Sequence, residues 1–163
     1  MTPRIIFRNL GEGKFEELIE EAGSGIAARH SSRGCAFGDF DNDGDLDVLI
    51  INLNESPSLL RNDQKVKRHW IKIKLVGTKS NRSAIGARVL ATYNGKHQLQ
   101  EVMSQSSFFS VNDMRLHFGL GEATTVDLAV RWPSGLAEEF VGVAADQVVR
   151  IEEGKGIGGR KGS

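Results

Sequence analysis

Between Phe37 and Val48 the chain reads Gly-Asp-Phe-Asp-Asn-Asp-Gly-Asp-Leu-Asp, placing Asp39, Asp41, Asp43, Asp45 and Asp47 at alternate positions between two apolar runs. Five carboxylates drawn into one compact turn repel each other unless a cation sits among them. Calcium suits such a turn: it takes about 6 to 8 oxygen ligands, and a loop can supply side chains from positions 1, 3, 5 and 9 and a carbonyl from position 7, with glycine at 6 for the sharp bend. By that count Asp39, Asp41, Asp43 and Asp47 ligate through carboxylates, Asp45 through its carbonyl, and Gly44 makes the bend. The sequence therefore predicts a Ca²⁺ loop between two strands.

The rival assignments fit less well. An EF-hand needs a glutamate at position 12 and a helix on either side, but here that position is Ile50, and starting at Asp41 puts Leu46 where glycine is required. Zinc calls for Cys or His, neither of which occurs in the run. Magnesium shares the oxygen chemistry but takes fewer protein ligands and more water. A solvated acidic turn does not account for the joint placement of aspartates, glycine and apolar flanks. A catalytic acid/base pair needs two carboxyls in divergent environments, whereas these aspartates point at one centre.

Around the loop the pattern is that of strands. Ile5, Phe7 and Leu10, then Gly34 to Phe37, Val48 to Leu53 and Ser58 to Arg61 read as short strands, the third an apolar run suited to burial on both faces. Phe15, Leu18 and Ile19, spaced i, i+3, i+4 before Gly23, predict one or two helical turns. Beyond the polar run from Asn62 to His69 the period is two: Ile71, Ile73 and Leu75; Met114, Leu116, Phe118 and Leu120; Val126, Leu128, Val130 and Trp132. Further strands are expected at 87–93, 99–103, 108–111, 140–143 and 148–152, with Asn94-Gly95 as a hairpin turn. The expected fold is all-β, divided into residues 1–64, a β-sandwich at 65–153 and a disordered Gly-, Lys- and Arg-rich tail at 154–163.

Residues 1–64 carry six Lys/Arg against twelve Asp/Glu and residues 65–163 fifteen against nine, so the total charge is zero and offers no global field for nucleic acid. Cys35 is alone, which excludes an internal disulfide. No stretch approaches the roughly 20 apolar residues of a membrane span, and Met1-Thr2-Pro3-Arg4 does not open a secretory signal. His30, His69, His97 and His117 lack metal-site spacing. Lys65, Lys67, Arg68, Lys72 and Lys74 beside Trp70 outline a nucleic-acid or anionic-glycan patch, for which a linker plus the wet face of an edge strand is the plainer account.

Three segments, Ile6 to Phe15, Ala36 to Asp47 and Leu59 to Asn62, resemble the FG-GAP or VCBS repeats of integrin-like β-propellers. Ser80 to Ala87, Arg115 to Gly121 and Val130 to Gly135 resemble the ASPIC and UnbV domain of the cartilage acidic protein-like family. The resemblance implies one propeller blade carrying the calcium loop, followed by a small antiparallel sandwich. It further implies an exported, extracellular or periplasmic parent protein and adhesion-like or matrix-like binding without catalysis. One repeat cannot close a propeller, which needs at least about four blades, so a fragment of a longer protein or a truncated product is expected. The leading expectation is a non-enzymatic calcium-binding interaction module with a protein or glycan partner. A carbohydrate-binding module using the basic strand near Trp70, and a metal-assisted hydrolase at the Asp loop, are the alternatives.

Overall fold

Period-two segments become strands along the whole chain in the computed structural model, which describes residues 2–18, 22–63 and 66–158. The first part contains β1 (Thr2–Pro3), β2 (Ile6–Gly11), β3 (Lys14–Leu18), the short helix α1 (Ser24–Ala27), β4 (Arg29–His30), β5 (Ser32–Gly38), β6 (Asp47–Asn52) and β7 (Ser58–Leu60). β1 pairs with β4, β2 with β3, and β5, β6 and β7 form a three-stranded antiparallel sheet.

Two expectations about this part are corrected. The helical turns predicted at Phe15 and Leu18 are strand β3, and Ile19 lies outside the described residues. The turn decides it: Glu12 and Gly13 have φ of 51° and 73° between the paired residues Gly11 and Lys14. Positive φ at both central residues matches the twist of a two-residue hairpin and commits the chain to β-pairing, and a three-residue apolar pattern is too short to oppose it. The apolar run of β6 is buried on one face only, since Ile50 and Asn52 point inward while Leu49 and Ile51 remain 43% and 46% exposed.

The second part contains β8 (His69–Val76), β9 (Arg88–Tyr93), β10 (Lys96–Glu101), β11 (Leu116–Gly121), β12 (Thr125–Arg131), β13 (Ala137–Ala144), β14 (Gln147–Glu152) and β15 (Gly156–Gly158). They form two four-stranded sheets, β10-β9-β12-β13 and β11-β8-β14-β15. Asn94-Gly95 makes the predicted hairpin, with φ of 44° and 70° between Tyr93 and Lys96. The inward residues of both sheets meet in one core, including Ile71, Ile73, Val89, Phe118, Leu128, Trp132 and Ile151. Full burial of such a side chain contributes about 1.5 to 3 kcal/mol.

Three details depart from the expected sandwich. β8 and β14 run parallel, because the chain crosses the opposite sheet before returning to β8. Residues 154–158, expected in the disordered tail, are ordered: Gly156 to Gly158 pair with β14, Ile157 opposite Ile151, and residues 159–163 lie outside the described residues. Residues 108–111 form only an isolated bridge between Ser107 and Ser110.

Those residues serve another purpose. Ser110 Oγ donates to the Cys35 carbonyl at 2.6 Å, the Phe37 N–H donates to Asn112 Oδ1 at 3.0 Å, and the Asp113 N–H donates to the Phe37 carbonyl at 2.9 Å. The segment thus covers the free edge of β5, with two side chains and one backbone N–H where a regular strand would use its backbone throughout. A Cβ on Gly34 would lie 2.9 Å from the Phe109 carbonyl oxygen, so only glycine permits this approach.

Candidate functional site

The Asp loop joins β5 to β6 and is ordered largely by its own carboxylates. Asp39 Oδ1 accepts the Asp43 N–H at 3.1 Å and Asp39 Oδ2 the Gly44 N–H at 2.8 Å, while Asp43 Oδ1 accepts the Asp45 N–H at 2.9 Å. Asn42 and Gly44 have φ of 60° and 103°, the left-handed conformations that curl the chain back on itself. Asp39, Asp41 and Asp43 each bring a carboxylate oxygen within 4.8 Å of the others. Asp47 is buried outside that group, its oxygens accepting the N–H groups of Phe40 at 3.0 Å and Asn62 at 2.9 Å. Asp45 offers its N–H to Asp43 from a half-buried position beside the group.

Three clustered carboxylates on a turn with the required glycine are a hard-oxygen donor set, and that chemistry fits calcium. Such an ion would supply architecture, replacing mutual repulsion by shared attraction.

The loop sits on the outer face of the sandwich, across β8 and β11. Lys72, expected on a wet face, is 1% exposed, and its ammonium forms an ion pair with Asp39 Oδ2. Burial by itself would raise the Asp39 carboxyl, but the Lys72 ammonium and the N–H groups of Gly44 and Asn42 prevail and hold it below the ordinary carboxylate range. The same ammonium lies 5.0 Å from the centre of the Trp70 ring. His117 Nε2 is 2.8 Å from the Gly44 carbonyl, and since a carbonyl only accepts, that nitrogen carries the proton. Burial keeps the His117 pKa below its usual value against the pull of that carbonyl, with Lys72 adding to the depression. Arg115 reaches Asn42 Oδ1 at 2.9 Å and is fixed by Asp113.

Trp70 is part of this seat. A Cβ on Gly44 would fall 2.0 Å from the indole Nε1, and His117 stacks at 6.2 Å from Trp70 with 12° between the planes. Hemmed in this way, the ring is a packing surface for the loop. In the basic run around it, Lys72 is spent on Asp39, and Lys65 lies outside the described residues.

A second cluster, centred on Glu153, was not anticipated from the sequence. Glu153, 2% exposed, accepts the N–H groups of Thr78, Lys79 and Ser80 at 2.7, 2.8 and 2.7 Å on Oε2, and the hydroxyls of Ser80 and Ser134 at 2.8 and 2.5 Å on Oε1. Burial would raise this carboxyl. The hydrogen bonds, that from Ser134 foremost, overturn the effect and lower it to about 2. Ser134 is one jaw of this clamp. The signal was present in outline, because the Ser80 and Ser134 segments both stood out as motifs without an apparent common target.

The model of the ASPIC and UnbV family matches residues 77–158, and that of the FG-GAP-like repeat matches residues 3–50. Cartilage acidic protein 1 of Xenopus tropicalis is 33% identical over 126 residues, covering 74% of this chain and 19% of that protein. Cartilage acidic protein 1 of Homo sapiens is 31% identical over 136 residues, covering 80% of this chain and 20% of its own length. The chain thus spans about a fifth of the curated relatives it matches. Arg115 and His117, which seat the acidic loop, and Ser80, Ser134 and Glu153 of the second cluster lie within the first of these matches, and the chain belongs to the ASPIC and UnbV family, joined to an FG-GAP-like repeat.

Proposed function

We propose that this chain is a non-enzymatic, calcium-dependent structural and interaction module of matrix-like or adhesion-like type, working outside the cytoplasm as part of a larger protein. The observation that carries the reading is the convergence of the Asp39, Asp41 and Asp43 carboxylates on one centre. Asp47 and the Asp45 carbonyl complete the proposed ligand set, with Asp47 turning one oxygen inward from its present hydrogen bonds. Residues 1–64 act as a propeller blade and residues 65–153 as the sandwich on which its loop rests. Exposed Phe7, Phe15, Leu49 and Ile51 are the kind of surface one blade offers another. Among the described residues no helix is long and apolar enough to cross a membrane.

A non-catalytic role is supported by the histidines, which are engaged in structural bonds: His30 with Glu55, His69 with Asp146, His97 with Thr92 and His117 with Gly44. Calcium at 100 times its Kd contributes about 2.7 kcal/mol to stability when it binds only the folded chain. The test is a thermal melt in excess calcium and in EDTA. The wild type melts higher with calcium, and Asp43→Ala melts at the same temperature in both; identical wild-type melts end the proposal.

A further inference from the structure

The outer face of the sheet β11-β8-β14-β15 carries a second charged feature, which adjoins the Asp loop through Arg115 and extends away from it. Lys74 and Arg150 are direct partners across the β8–β14 pair, and Arg115, just before the Leu116 to Ile73 pairing, extends the row on the other side of Lys74. Strands lie about 4.8 Å apart, so three cations fall within roughly 10 Å of one another. Like charges at facing positions destabilise a sheet unless something negative lies over them. Arg82, from the loop after β8, completes the rim of an open cleft of about 680 Å³ in which these four cations face the carboxylate of Asp113, with Glu152 against Arg150. Arg115 is paired with Asp113 and Arg150 with Glu152, while Lys74 and Arg82 have no ion pair among the described residues.

We propose that this cleft binds a sulfated polysaccharide strand. A linear polyanion with charges repeating along its length satisfies several members of the row at once: the guanidinium fork of Arg82 matches the oxygen array of a sulfate ester, Lys74 supplies an ammonium, and Arg115 and Arg150 add positive charge beside them. The other polyanions fit less well. The cleft lies on a sheet face, whereas an extended acidic peptide adds to a sheet edge, and β15 already covers the β14 edge. Among the described residues no aromatic ring lines it, so single-stranded nucleic acid would find nothing to stack on. Because the chain as a whole carries no net charge, attraction to a polyanion has to come from a local array of this kind. The proposal stands apart from the calcium reading, since neither Lys74 nor Arg82 is a candidate ligand.

The experiment is calorimetric titration of the full chain with a size-defined heparin hexasaccharide, in calcium and again in EDTA. An unsulfated hyaluronan hexasaccharide and polyglutamate serve as comparison probes. The wild type binds the heparin fragment, more weakly as salt rises, and prefers it to both other probes. Lys74→Glu combined with Arg82→Glu weakens binding by about tenfold or more. Lys96→Glu with Lys14→Glu, an equal change of charge elsewhere, leaves it within about twofold. Thermal melts verify folding, and Lys74→Gln with Arg82→Gln replaces the reversal if it does not fold. Absence of heparin binding at low salt, equal losses from both charge reversals, or equal affinity for polyglutamate each overturns the proposal. Binding that persists in EDTA separates this cleft from the fate of the Asp loop.

Discussion

The ammonium of Lys72, carried on the sandwich, is buried against the carboxylate of Asp39, carried on the repeat, with both side chains almost wholly removed from solvent. A fixed cation from one part of the chain therefore neutralises part of an acidic loop belonging to the other. Removing one partner of a buried pair is far more damaging than its net contribution suggests, because the other charge is left without compensation.

Lys72→Met is accordingly expected to cost about 3 to 5 kcal/mol in calcium-free buffer. Urea denaturation measures this. Calcium should recover a larger share of stability in the variant than in the wild type, since the loop has lost its resident cation.

Gly44→Ala combines a strained φ of 103° with a methyl group driven into the Trp70 indole. Backbone strain alone costs about 1 to 3 kcal/mol. The loop is expected to lift off the sandwich, which Trp70 fluorescence reports as a red shift accompanied by faster quenching by iodide.

Glu153 makes stability fall in acid. Its carboxyl is lowered from 4.5 to about 2 in the folded chain, so its contribution is fully present above the unfolded value of 4.5 and is lost progressively as pH falls toward 2. Urea midpoints measured between pH 6 and pH 2 should decline in that window. Glu153→Gln should be less stable than wild type at pH 6, with the gap narrowing toward pH 2.

Much of the architecture was legible because strand period and turn chemistry are local properties. Asn94-Gly95 required a hairpin, and Ile71, Ile73, Leu116 and Phe118 declared an inward face. The Asp loop could be read for the same reason, its spacing lying within nine consecutive residues. What could not be read were relations between distant segments. Lys72 alternates with Ile71 and Ile73 as a solvent-facing residue would, and nothing nearby announces that Asp39 will cover it. Glu153 met its five donors only once 78–80 and Ser134 had been folded onto it. The helical reading of Phe15 and Leu18 failed because three positions satisfy more than one period, and the Glu12-Gly13 turn settled the matter.

The bonds from residues 110–113 to Cys35 and Phe37 bear on how the molecule can be dissected. A recombinant piece ending near residue 64 would present β5 as a bare template, inviting self-association into dimers or fibres. The dependence runs one way: the first half borrows the cover of its edge from residues 110–113, whereas the core of the sandwich is drawn entirely from residues 71–151.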